Sequence, residues 1–206
     1  MRPRLAAESP PGWLRPVVSW NMAPTSDTAP RSTVVALVGA DSDSLLSGLS
    51  DVPALVALSL RETDPAVAAR RLTAVSTPYV VHDADPLEHV AAAWVELFEE
   101  RSTLGTLEVE VDALLALFDA GVAVMPDYYL VAGPELIEGT WRHWWLGALA
   151  HRAPSRVLPV EASGAALRAR LRTLPSSRPW PDPAWLRHLP FDIPDRVGLR
   201  DQPGAA

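Results

Sequence analysis

From Thr33 onward, short runs of β-branched and aliphatic residues alternate with stretches whose apolar residues recur at helical spacing. "TVVALVGA" (33–40) is too short for a helix, and "DSDSLLSGL" follows it with capping residues. "PALVALSL" (53–60) is the second such run; in the helix after it, within "TDPAVAARRLTAV" (63–75), Asp64 stands as N-cap and Pro65 at the first turn. "PYVVH" (78–82) is the third run. From Pro86, Leu87, Val90, Trp94, Leu97 and Phe98 then form one helical stripe, with Glu88, Glu96, Glu99 and Glu100 opposite. "LEVEVDALLALFDAG" (107–121) starts with strand-like alternation but keeps a stripe through Leu107, Val111, Leu114 and Phe118, so it reads as a helix ending at Gly121. A fourth strand is expected over 122–133, a long helix from Pro134 to about Arg152, a fifth strand over 156–162, and a helix led by Ser163 over 163–174.

Strands that are apolar on both faces and separated by helices belong to a parallel sheet covered on both sides. The expected fold is therefore a single α/β domain over 33–174, a three-layer Rossmann-like sandwich with a mostly parallel sheet of about five strands. Residues 1–32 hold six prolines and little periodicity, and read as an N-terminal arm that Trp13, Leu14, Val17, Val18 and Trp20 could dock. Residues 175–206 carry seven prolines among Trp180, Trp185, Leu186, Leu189, Phe191 and Ile193, and read as an extension clipped along the domain, with a helical turn capped by Asp182.

Composition removes whole classes of chemistry. All eighteen basic residues are arginine, which excludes a P-loop or kinase lysine and any Schiff base. With the many alanines, prolines and valines, it also points to a GC-rich bacterial genome. The chain has no cysteine, which excludes thiol nucleophiles, thiolate metal sites and disulfides. The formal net charge of −7 argues against nucleic-acid or anionic-membrane partners. No apolar run reaches the ~20 residues that span a bilayer, and the start lacks an apolar signal core, so the expected address is the cytoplasm.

In open parallel sheets ligands bind beyond the carboxyl ends of the strands. That edge should gather Asp41, Ser42, Asp43 and Ser44 after the first strand, and Arg61, Glu62 and Asp64 after the second. His82, Asp83 and Asp85 should follow the third strand, and Gly133 to Glu135 the fourth. The expected ligand contacts are Asp41, Asp43, Arg61, His82 and Tyr128, though Tyr128 and Tyr129 face opposite ways in a strand and only one can reach a given pocket. A row of carboxylates could also hold a hard cation, Mg²⁺ or Mn²⁺, through Asp83 and Asp85. The competing reading is that these residues only cap the helices that follow; Asp85 before Pro86 is an ideal N-cap, whereas Asp83 is not. "VGADSDS" has one glycine where a dinucleotide fingerprint needs three, no G-x-S-x-G elbow occurs, and a response-regulator receiver needs a lysine that is missing.

"AARRLTAVSTPYVVHDADP" (68–86) resembles the segment of GT-A-type glycosyltransferases in which an Arg-bearing helix precedes "TPYV" and a D-x-D motif. The resemblance implies that Asp83 and Asp85 bind the manganese or magnesium ion that holds a nucleotide-sugar diphosphate, with Asp41 near the base or ribose. It is confined to these residues.

Within 134–152, Ile137, Trp141, Trp144, Trp145 and Ala148 form one broad helix face, read first as core packed on the sheet. Two functional expectations follow. The first is binding of a small molecule, nucleotide or nucleotide-sugar at the carboxylate rim, with metal-dependent glycosyl transfer as its enzymatic form. The alternative is a non-catalytic interaction or scaffold protein that uses the Trp-rich helix and Pro-rich tails on a protein partner or a second copy.

Overall fold

The computed structural model describes residues 32–175, 180 and 182–189. The arm assigned to 1–32 lies outside them except for Ser32, as does most of the extension after 175. Five strands form one all-parallel sheet in the order β2-β3-β1-β4-β5. They are β1 (Thr33–Gly39), β2 (Leu55–Leu58), β3 (Tyr79–His82), β4 (Tyr128–Ala132) and β5 (Val157–Val160). The most continuous apolar runs, β1 and β4, lie inside the sheet and are buried from Thr33 to Val38 and over the whole of β4. The edges fall to β2, which is half-buried throughout, and to β5, whose Pro159 has no N–H to give to a second neighbour.

Each crossover carries its helix to the face that a right-handed turn requires. The chain leaves β1 towards β2 in one direction, and α1 (Ser42–Ser47) covers one face together with α7 (Gly164–Thr173). There Leu45, Leu46, Leu49, Leu167 and Leu171 pack on Val35, Leu37, Val81 and Leu130. Every later connection moves across the sheet the other way. Accordingly α2 (Pro65–Thr73) lies over Val34 and Val80 of the opposite face, with α3 (Glu88–Phe98) and α4 (Leu104–Asp119) beside it on the same side. The result is the expected three-layer α/β sandwich. Its order differs from the dinucleotide-binding order 3-2-1-4-5 by an exchange of the second and third strands.

Local departures from the sequence reading have plain causes. The fourth strand is confined to Tyr128–Ala132, because Val122–Asp127 is spent returning from the end of α4 to the sheet. The helix expected over 134–152 starts late. Gly133, at φ +54°, turns the chain into a 3₁₀ turn at Pro134–Leu136, Ile137 is extended, and α5 begins only at Gly139 (Gly139–His143). It continues through a π turn, Trp144–Leu149, into α6 (Ala150–Arg152). The wider turn seats two adjacent tryptophans, Trp144 and Trp145, in the core. Beyond α7, Asp182 caps a 3₁₀ helix over Pro183–His188 as expected, and Trp180 and Trp185 pack on the core.

Gly39 ends β1 at φ +100°, and a Cβ there would stand 2.4 Å from the Ala132 carbonyl oxygen of the neighbouring strand. Gly121 also has positive φ but open space around it. Gly39→Ala should therefore cost more than ~2 kcal/mol, and Gly121→Ala only about 1 kcal/mol, by urea denaturation. Equal costs would show that β1 and β4 do not meet as closely as described.

Candidate functional site

Strand register sets the site. One row across the sheet reads Leu58, His82, Ala36, Tyr129 and Val157 from β2 to β5. In a parallel sheet such partners point to the same face, so His82 and Tyr129 flank a single methyl group with their backbones about 10 Å apart. Over that gap the loop after β3 brings three polar residues, Asp83, Asp85 and then Glu88 at the start of α3.

Asp83 is buried, and its carboxylate is a bracket between strand ends. Oδ1 accepts the N–H groups of Leu60 at 2.5 Å and Arg61 at 3.0 Å, and Oδ2 accepts the Ser59 hydroxyl at 2.8 Å. All three donors belong to the turn after β2, so this side chain fixes the β2 exit against the β3 exit. Asp83→Ala should cost ~3 kcal/mol without any ligand present, because it strands two backbone donors; an unchanged urea midpoint would contradict this role.

Asp85 does two things. Its Oδ1 accepts from the Leu87 N–H at 3.0 Å, the capping interaction expected before Pro86, and from the Tyr129 hydroxyl at 3.0 Å. Burial pushes its carboxyl up to about 7, and Glu88 adds to the rise, while the Leu87 N–H and the Tyr129 hydroxyl oppose it. The Tyr129 hydroxyl is in turn held well above its ordinary value by burial and by the charge of Asp85. Trp145 and Trp180 pack around that tyrosine ring at 5.5 and 6.1 Å between centroids.

His82 is 1% exposed, and both ring nitrogens are without accessible surface, beside the Ala84 backbone. Burial drives its pKa down to about 4, against the pull of the neighbouring Asp83 charge and the Ala84 backbone. The imidazole is therefore neutral at physiological pH.

Two hollows meet at this loop. The outer one, about 480 Å³, opens over the carboxyl ends of β1, β3 and β4. The end of β1 floors it, Ile137, Trp141 and Trp145 form an apolar wall, and Arg61, Asp85 and Glu88 close the other side. The inner one, about 280 Å³, lies between α2, α3 and α4 with His82 in its lining, and it shares Arg61, Asp85 and Glu88 with the outer hollow. Arg61 is steadied by the Ser42 hydroxyl at 2.8 Å and by Asp43 at 3.4 Å, an exposed pair worth little by itself.

The residues expected at the site are thus divided. Arg61, His82, Asp83 and Asp85 converge; Asp43 reaches the site only through Arg61. Asp41 is exposed at φ 53°, with no capping bond from its side chain. Tyr128 lies on the face covered by α1 and α7, where its hydroxyl donates to the Pro175 carbonyl at 3.3 Å; the tyrosine of the site is Tyr129. Sequence reasoning could have found Tyr129 from parity with His82 had the β1–β4 register been known. Trp141 and Trp145 were read as core, and they also form the cleft wall.

The residues do not fit the Mg²⁺ or Mn²⁺ that the D-x-D resemblance implies. Asp83 has both oxygens occupied by protein donors, and Asp85 is half-buried in surroundings that favour its neutral form. Among the described residues no three His, Asp or Glu side chains come together to hold a metal ion. No protein-family model, curated protein or solved structure matches the chain.

His82 and Asp85 act oppositely on stability. Between about pH 4 and 6.5 the unfolded chain protonates His82 and the folded chain does not, so this residue makes stability rise with pH. From about pH 4 to 7 the folded chain keeps a proton on Asp85 that the unfolded chain has lost, so stability falls with pH. In the wild type the two slopes offset one another up to about pH 6.5. Asp85→Asn should unmask the histidine, giving urea midpoints that rise more steeply between pH 4 and 6.5 than those of the wild type. Parallel profiles for the two proteins would refute the assignment.

Proposed function

We propose that the protein binds a small uncharged ring compound, a sugar or a nucleoside, in the outer cleft, without a metal ion. The observation that carries this reading is the cleft's position. The chain leaves β1 towards one face of the sheet and leaves β3 and β4 towards the other, which opens a crevice at the carboxyl ends where ligands of such sheets bind. Trp141, half-buried in the cleft wall, supplies an indole on which a ring can stack, an interaction worth about 1–3 kcal/mol for a base. Asp85 supplies the polar anchor. Both of its hydrogen bonds fall on Oδ1, so the proton it holds near neutral pH sits on Oδ2, which can donate to a ligand hydroxyl or carbonyl.

Charge argues for an uncharged ligand. Asp83, Asp85, Glu88 and Glu138 line the cleft, with Arg61 as the one cation of its lining among the described residues, and a bare phosphate would meet a wall of its own sign. Transfer of a sugar from a nucleotide-diphosphate donor is the competing enzymatic reading, and it rests on the local GT-A resemblance alone.

Thermal shift against nucleosides, free hexoses and nucleoside diphosphate sugars, each with and without Mn²⁺, tests the proposal. At a hundred times its Kd a ligand adds about 2.7 kcal/mol, which raises Tm by about 5–10 °C in a domain of this size. A nucleoside or hexose should give such a shift without metal, and Trp141→Ala should abolish it. If no compound shifts Tm, the binding reading fails. A shift that needs both the diphosphate and Mn²⁺ would overturn its metal-free form in favour of the D-x-D assignment.

A further inference from the structure

Asp85 is held over the outer cleft from two sides, by the Leu87 N–H of its own loop and by the Tyr129 hydroxyl at 3.0 Å. Only the second comes from the sheet, and it stands at the far end of a long ring. Such a hydrogen bond is lost by ~3.5 Å, so a small pivot of the ring would break it. Something has to hold the ring. Its neighbours across the sheet, Ala36 and Val157, offer a methyl group and a short branched side chain. The larger walls are two indoles, Trp145 with ring centroids 5.5 Å apart and Trp180 at 6.1 Å, the latter edge-on at 70°.

Trp145 belongs to the cleft wall, and Trp180 does not. It lines neither hollow and belongs to no strand or helix, lying in the stretch that follows α7. It is nonetheless firmly seated. The guanidinium carbon of Arg156 stands 5.2 Å from its ring centroid, and that guanidinium is buried and donates to the Asp127 carbonyl at 3.0 Å. A desolvated guanidinium over an indole is the stronger form of this contact. The Arg156 carbonyl also accepts the Tyr129 N–H at 2.8 Å. One residue just before β5 therefore fixes the backbone of Tyr129 directly and its ring by way of Trp180. An indole that merely fills space beside β4 could give way to any apolar side chain; one that sets the tyrosine hydroxyl could not.

We propose that Trp180 is a positioning residue of the outer cleft: it fixes the ring of Tyr129, and thereby the hydrogen bond that holds Asp85 towards a bound sugar or nucleoside. What Asp85 meets there rests on the outer-cleft reading, whereas the link from Trp180 through Tyr129 to Asp85 exists without a ligand.

The experiment is a double-mutant cycle on the full chain, free of ligand, read from the pH midpoint of the Asp85 carboxyl carbon in ¹³C spectra. Glu88 of α3, Arg61 and Asp83 at the strand exits, Glu138 beyond β4, and His82 and His89 of the inner hollow surround this carboxyl, and the cycle alters none of them. The Tyr129 hydroxyl favours the ionised carboxyl, so Tyr129→Phe should raise the midpoint from about 7 to about 8. In the Trp180→Ala background the same substitution should raise it less than half as far, because the hydroxyl is no longer held in place. Trp180→Phe, which keeps an aromatic wall, should restore most of the effect, and Trp180→Leu replaces the alanine variant if that one does not fold. An equal rise in both backgrounds, or no rise in either, would overturn the proposal. A residue that only stabilises the fold would lower the urea midpoint and leave the rise unchanged. For a nucleoside or hexose that shifts Tm, Trp180→Ala should raise Kd about fivefold, the factor given by one hydrogen bond, and Trp180→Phe should recover it. Binding with an unchanged Kd would also overturn the proposal. If no compound binds, the outer-cleft reading fails by itself, and the titration still decides whether Trp180 acts on Asp85 through Tyr129.

Discussion

Parallel strands can be joined only by crossovers, and crossovers in such sheets are right-handed. This one constraint assigns every helix that joins two strands to its face, and α7, which follows the last strand, packs beside α1. Because β1 is central and the first crossover runs opposite to all later ones, α1 alone leaves the middle of the sheet on its own side, while the exits of β3 and β4 rise on the other. The crevice between them needs no special residue to exist. What the sequence adds is its contents: Gly39, which lets β1 pass against the Ala132 carbonyl, and the polar loop after β3.

The three aspartates of the rim show how little residue type settles by itself. Asp41 projects into solvent from a left-handed turn, Asp83 is consumed by three donors, and Asp85 is half-buried against Tyr129. Spacing makes the last two a D-x-D pair. In an extended chain residues two apart point to the same side, but the backbone bends into the cap of α3 at this point. One carboxylate therefore turns back to the β2 exit and the other forward over the sheet. A sequence motif for metal binding depends on the local backbone that presents it, and here that backbone separates the pair.

The layer architecture was legible because it rests on patterns the chain writes locally: apolar runs four to seven residues long, Asp64 and Ser163 at helix starts, Gly121 at a helix end. What was not legible depends on contacts between distant segments. The helix expected from Pro134 starts only at Gly139, after a left-handed turn at Gly133, where a side chain would crowd Ala40 and Ala162 from two other strand exits. Tyr128 was expected at the site and Tyr129 occupies it; the two differ only in parity, which is fixed by the pairing of β4 with β1 and is invisible in either strand alone. Asp83 was correctly the aspartate that capping could not explain, yet its partners are two backbone N–H groups and a serine hydroxyl twenty-two to twenty-four residues away, which no periodicity announces.

The deeper difficulty lay with His82, a polar residue inside an apolar run. From sequence it could equally have closed the strand at the rim or entered the layer above it. Its register partner Ala36 decides the matter. A larger side chain there would fill the space between the imidazole and Tyr129 and push Asp85 out of reach of the tyrosine hydroxyl. The small residue on the central strand therefore permits both the buried acid and the buried base, and burial then moves their proton affinities in opposite directions. At neutral pH the acid tends to keep its proton and the base does not gain one. Burial thus lowers the charge that Asp85 and His82 bring to the partition. This favours a hydroxyl-bearing, uncharged ligand in the outer cleft, since such a ligand can accept from the acid without bringing a counter-charge into a place with little water to solvate one.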